Sequence, residues 1–122
     1  MVLKVGIIGC GGIANGKHLP ALAQVAAVEL VAFCDLDLAR AEKAKQAYGT
    51  ADALVFTDYQ ELLKLDLDAV HVLTPNSSHA PLTIAALEAG CHVMCEKPMA
   101  KTSEEAKAMI AVAEKTGKKL TI

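Results

Sequence analysis

The chain has 122 residues, 53% of them hydrophobic and 21% charged, and 12 Lys and Arg stand against 14 Asp and Glu for a formal net charge of -2. One domain of this length buries roughly two thirds of its unfolded surface, which excludes a disordered chain and a peptide held together by staples. The near-neutral balance lacks the basic footprint that phosphate backbones and anionic lipid surfaces select, so neither nucleic acid nor membrane is an expected partner.

The first apolar run, Val2 to Ile8, is strand-sized and leads into Gly9-Cys10-Gly11-Gly12-Ile13-Ala14. A helix is expected next, but the ring of Pro20 would meet the carbonyl of Gly16 four residues back. A kink or break is therefore expected near Asn15-Gly16, with His18 in that stretch a surface or packing histidine. The second strand, Val28 to Cys34, ends at Asp35. Leu38 to Tyr48 has helical composition, follows the cap Asp37 and stops at Gly49.

A weaker strand, Ala53 to Phe56, precedes Thr57-Asp58-Tyr59-Gln60, which has the capping-box spacing ahead of Leu62 and Leu63. The strand Ala69 to Leu73 leads through Thr74-Pro75-Asn76-Ser77-Ser78-His79 into a helix carrying Leu82, Ala85, Ala86 and Leu87 and ending at Gly90. Ser77 or Ser78 is its expected cap, and Pro81 fits in the first turn, where its missing N–H has no helical partner. Cys91 to Cys95 forms the next strand and is followed by Glu96-Lys97-Pro98. Thr102-Ser103-Glu104-Glu105 opens a last helix that ends at Gly117, before a final strand Leu120 to Ile122.

Most of these strands are continuously apolar, the pattern of strands covered on both faces. Alternating strands and helices then predict one α/β domain over residues 1–122. Its fold is a doubly wound Rossmann architecture, a mostly parallel six-stranded sheet with helices on both faces. In such sheets ligands bind beyond the carboxyl ends of the strands. No apolar run reaches the roughly 20 residues needed to cross a bilayer, and the N-terminus reads directly as strand without a leader, so the expected location is cytoplasmic. Cys10, Cys34, Cys91 and Cys95 are expected as buried, reduced thiols. Cys91 and Cys95 share one strand face and His92 the other, which argues against a metal site.

The glycine segment carries the first chemical signal. In G-x-G-x-x-A, Gly9 permits a tight turn, Gly11 lets the backbone approach a pyrophosphate, and Ala14 allows close helix-to-strand packing. Cys10, Gly12 and Ile13 complete the candidate cofactor loop. Asp35, 26 positions after Gly9 and followed by Leu36, stands where a carboxylate accepts hydrogen bonds from the adenosine ribose and repels a 2'-phosphate. NAD is accordingly expected over NADP. Arg40, five residues on, is close enough in sequence to reach a phosphate, and Asp35 has an alternative reading as a helix cap. Thr74 to His79 lies beyond a strand's carboxyl end, facing the same crevice as the glycine loop, which makes Thr74, Pro75, Asn76 and His79 candidate cofactor-binding residues; the alternative is turn chemistry, which explains Pro75, Asn76 and the serines but not His79. Glu96-Lys97-Pro98 taken alone reads as a solvated turn.

Together, the glycine segment, His18-Leu19-Pro20-Ala21-Leu22, Asp35, Thr74 to His79 and Glu96-Lys97-Pro98-Met99-Ala100 resemble the glucose-fructose oxidoreductase, inositol dehydrogenase and MocA (Gfo/Idh/MocA) family over essentially the whole chain. The resemblance implies an NAD(P)-dependent oxidoreductase acting on sugars, cyclitols or related alcohols. It implies Lys97 as the catalytic residue beside the reacting oxygen and Lys97-Pro98 as a cis bond. Glu96, Asn76 and His79 would line the nicotinamide ribose. It further implies a C-terminal substrate domain outside these residues and a homo-oligomer in full. The expectation is the cofactor-binding half of a dehydrogenase; the alternative is a stand-alone NAD-binding sensor or regulatory module.

Overall fold

The computed structural model describes residues 1–122. Six strands form one sheet in the order β3-β2-β1-β4-β5-β6, with every neighbouring pair parallel. They are β1 (Leu3–Ile8), β2 (Val28–Cys34), β3 (Leu54–Phe56), β4 (Ala69–Val72), β5 (His92–Cys95) and β6 (Leu120–Thr121). The chain builds outward from β1 to β3 on one side and then crosses back to lay β4, β5 and β6 on the other. Strand order therefore reverses at β1 and β4, where doubly wound sheets open a crevice.

Helices cover both faces, as the continuously apolar strands predict. Val5, Ile7, Leu30 and Phe33 pack with Ala14, Leu19, Ala41 and Ala44 on one face. There lie α1 (Leu19–Leu22) and α2 (Leu38–Tyr48). Ile8, Ala32, Val70, Val72 and Val93 pack with Leu62, Leu87 and Met109 on the other. That face carries α3 (Tyr59–Leu62), α4 (His79–Glu88) and α5 (Ser103–Thr116). Full burial of one such side chain, Phe33 for example, stabilises the fold by about 2–3 kcal/mol. Leu30 and Phe33 share a face although three residues apart, because the β1–β2 register slips between Val5 and Gly6. That irregularity puts Val31 and Ala32 together against the opposite core.

Two helix starts follow the expected caps, and at α3 the cap is Asp58, one residue past the Thr57 that opens the capping-box spacing. Asp37 accepts from Ala39 N, Asp58 from Gln60 N and Thr102 from Glu105 N. Gly117, at φ 71°, closes α5 in the left-handed conformation. Ser77 and Ser78 do not cap α4: the Ser78 hydroxyl turns back to Thr74 Oγ1 at 2.6 Å and the Pro75 carbonyl at 2.7 Å. A 3-10 turn, Asn76–Ser78, leads into the helix instead. The four cysteines are buried and unpaired. No helix is long and apolar enough to cross a membrane.

Candidate nucleotide-binding site

The break expected near Pro20 takes the form of a π-helical turn, Ala14–His18, directly before α1. The N–H of Leu19 reaches back five residues to the Ala14 carbonyl. A proline cannot donate to Gly16, and the inserted residue re-routes the ladder around that gap. Asn15 fixes the other end, its amide donating to the carbonyls of Cys10 and Gly11 at 2.9 and 2.8 Å.

Above the carboxyl ends of β1, β2 and β4 lies a crevice of about 800 Å³. The glycine loop forms one wall. Gly9 sits at φ 101°, and a Cβ there would lie 2.7 Å from the Leu73 carbonyl carbon, so only glycine lets β1 turn so close to the end of β4. Gly11 and Gly12 line the crevice, and a Cβ on Gly12 would meet nothing within 4 Å. Any side chain there would instead occupy the space in which a ligand approaches. Cys10 and Ala14 face the core, where both are buried. Burial, and after it the Asp35 and Cys34 charges, push the Cys10 thiol up to about 12, which leaves it an inert packing group.

Asp35 is not a helix cap; that duty falls to Asp37. One Asp35 oxygen accepts from Cys10 N and the other from Asp37 N, both at 2.8 Å. The carboxylate thereby bolts the glycine loop to the turn after β2 while lining the crevice. Each oxygen keeps a lone pair for a hydroxyl of a ligand. Leu36 is 93% exposed beside it, an apolar surface fit to cover a flat ring. Arg40 lines the same wall, its Nε 3.8 Å from Asp37 Oδ2. Thr57 and Tyr59, after β3, complete that end; they were missed as site residues, although their place after a strand signals it.

At the opposite end, Thr74 and Pro75 line the crevice, whereas Asn76, exposed on the 3-10 turn, and Ile13, half-exposed on the helix, do not. His79 departs from its expected ribose-facing place. It is fully buried, with Nε2 2.8 Å from the Thr74 carbonyl and Nδ1 2.7 Å from that of Pro98. Its role is to clasp the turn after β4 to the turn after β5. Lys97 is exposed on that second turn, and Lys97-Pro98 is cis. Glu96 and Lys97 lie outside the enclosed crevice.

His18 is not a bystander either. Its Nε2 lies 2.6 Å from Glu96 Oε2, and its Nδ1 lies 3.3 Å from Nδ1 of His71 on β4. The hydrogen bond from His18 is the main influence holding the Glu96 carboxyl below its usual range, with the charges of His18 and Lys97 adding to it. His71 was not singled out from sequence, because an isolated histidine within a strand gives no signal.

A family model described as "Oxidoreductase family, NAD-binding Rossmann fold" matches residues 3–122. The chain belongs to this Gfo/Idh/MocA oxidoreductase family. It is 45% identical over 119 residues to D-glucoside 3-dehydrogenase of Escherichia coli, covering 97% of this chain and 33% of that protein. With inositol 2-dehydrogenase of Salmonella typhimurium it shares 38% identity, over 98% of this chain and 36% of the relative. Among solved structures, a 3-ketoreductase from Actinomadura kijaniata in complex with NADP and TDP-benzene superposes with a TM-score of 0.89 at 34% identity. That match covers 97% of this chain and 36% of the other. The chain thus spans about a third of the length of these relatives. It forms the NAD(P)-binding Rossmann domain of a Gfo/Idh/MocA protein.

Proposed function

We propose that the domain binds NAD in preference to NADP and is the cofactor half of a cytoplasmic dehydrogenase acting on a hydroxyl carbon of a sugar, cyclitol or related alcohol. The observation that carries the reading is Asp35: a carboxylate held by two backbone N–H groups on the crevice wall, opposite glycines that leave room for a pyrophosphate. Its negative charge meets ribose hydroxyls favourably and a 2'-phosphate unfavourably. Arg40 is the feature that favours NADP, but Asp37 stands beside it and offsets its charge. The family relation to sugar and inositol dehydrogenases supports the substrate class, and buried, unpaired thiols suit a reducing compartment.

When bound, the dinucleotide supplies the hydride donor or acceptor. The glycine loop and Asp35 bind and orient its adenosine and phosphate portion. Lys97, exposed after β5 with Glu96 beside it, is assigned to hold or release a proton at Nζ for the reacting oxygen.

The test is a titration with NADH and NADPH, followed by the fluorescence of the reduced nicotinamide, which the absence of Trp leaves unobscured. NADH is expected to bind at least tenfold more tightly, and Asp35→Ala to abolish that margin, since losing charge-assisted hydrogen bonds is worth roughly 1.5–3 kcal/mol. Tighter NADPH binding would hand the decision to Arg40, and binding of neither would overturn the reading.

A further inference from the structure

His18, His71 and Glu96 come from three elements, the π turn after β1, β4 and the turn after β5, separated by 53 and 78 residues in the chain. Nucleotide binding by the glycine loop and Asp35 does not require them. A π turn occurs mostly as a single-turn insertion, frequently at functional sites, and His18 is its last residue, with a side chain only 12% exposed.

The hydrogens in this cluster are dictated by its geometry. A carboxylate only accepts, so His18 Nε2 carries the hydrogen toward Glu96. The contact between the two Nδ1 atoms needs one donor and one acceptor. Burial, and next the neighbouring His18, push His71 down to about 4, so His71 keeps a single ring hydrogen across the physiological range. With His18 neutral, its Nδ1 accepts from His71 Nδ1–H. With His18 protonated, its Nδ1 donates, and His71 moves its one hydrogen to Nε2. Both contacts persist in both states. The titratable groups facing His18 are His71 on β4 and Glu96 on the turn after β5, with Lys97 behind Glu96.

We propose that His18, backed by His71, is a positioning residue for the Glu96-Lys97-Pro98 turn, holding Glu96 in one place in either charge state of His18. That this turn is the redox end of the site rests on the dinucleotide reading above; the bracket itself rests on the three side chains. Its effect is to fasten the turn that bears Lys97 to the helix that follows the glycine loop. The ends of β1, β4 and β5 then keep one geometry while a proton comes or goes beside them.

The decisive measurement is the imidazole ¹⁵N NMR of the chain as a function of pH. His71 is expected to change from the Nδ1–H to the Nε2–H tautomer over the same pH interval in which His18 gains its proton, without itself becoming doubly protonated above about pH 5. A His71 that keeps one tautomer throughout, or that titrates together with His18, overturns the proposal. The positioning role is read by comparing NADH with ADP-ribose, which lacks the nicotinamide. His18→Leu should weaken NADH roughly fivefold and leave ADP-ribose unchanged, while His18→Gln, whose amide still donates to Glu96, should recover most of the loss. Equal weakening of both ligands, or none of NADH, overturns that role. If the unmodified chain binds neither ligand, the dinucleotide reading falls by itself, and the tautomer measurement still decides the bracket.

Discussion

The two ends of the crevice are built by different means. At the end proposed for adenosine the backbone does most of the shaping: Gly9 is confined by the Leu73 and Thr74 backbone after β4, and Asp35 is held by N–H groups from both sides. At the β5 end, side chains far apart in sequence hold the structure, His79 between two carbonyls and His18 between Glu96 and His71. In the proposed reading the first end is a rigid receptor for anion and ribose. The second is a titratable assembly in which the ring hydrogens of His18 and His71 rearrange while the contacts themselves persist. Under the function proposed above, that division suits a redox domain, because tight holding belongs where the cofactor does not change and protonic freedom belongs where it reacts.

The largest test of the contrast is Gly9→Ala. A methyl group 2.7 Å from the Leu73 carbonyl carbon, on a backbone at φ 101°, should destabilise the domain by about 3 kcal/mol in urea unfolding and remove NADH binding. A stable variant that still bound NADH would show that the adenosine end is far more yielding than its geometry implies.

Acid should act on the other end. His71 falls from 6.5 to about 4 on folding, so between those values the unfolded chain binds the extra proton and stability declines as pH drops. The shift corresponds to about 3 kcal/mol, fully present above pH 6.5 and gone below pH 4. His71→Phe should flatten this part of the stability–pH curve. Glu96, lowered mainly by its bond from His18, should lose its own contribution lower, as pH falls beneath the ordinary carboxylate range. A wild-type curve flat from pH 6.5 to 4 would contradict the buried, neutral His71.

His79→Leu keeps bulk in the core but leaves the Thr74 and Pro98 carbonyls without their shared partner. Both bonds form at once only when both ring nitrogens carry hydrogen. We expect a loss of about 2 kcal/mol in urea unfolding, together with faster amide exchange in both turns. Exchange unchanged in the turn after β5 would mean that other contacts, His18 to Glu96 first among them, hold it alone.

The same contrast explains what could be read in the sequence. The succession of strands and helices, the two-faced core, the caps at Asp37 and Thr102 and the glycine loop depend on residues near one another in the chain, and each was legible. So was the disruption at Pro20, although not its π form, which depends on how the freed carbonyls find new donors. His79 stood out as more than turn chemistry, but its burial did not, since the Pro98 carbonyl reaches it from 19 residues away. His18 and His71 had no readable role at all. Their meaning arises only when β1 and β4 lie side by side, with β5 bringing Glu96 to the same spot.

The smallest expected effect lies outside both ends. Thr102 accepts from Glu105 N at 3.1 Å, and Thr102→Ala should lower stability by about 1 kcal/mol through loss of the α5 cap. NADH affinity should not change, because α5 packs against α4 and none of its residues lines the crevice. The variant therefore measures whether the turn after β5 is held by its side-chain clasps or by the helix that begins five residues after Pro98. Weakened NADH binding would move α5 into the redox end and make that end an extension of the core; unchanged binding would leave His79 and His18 as its supports.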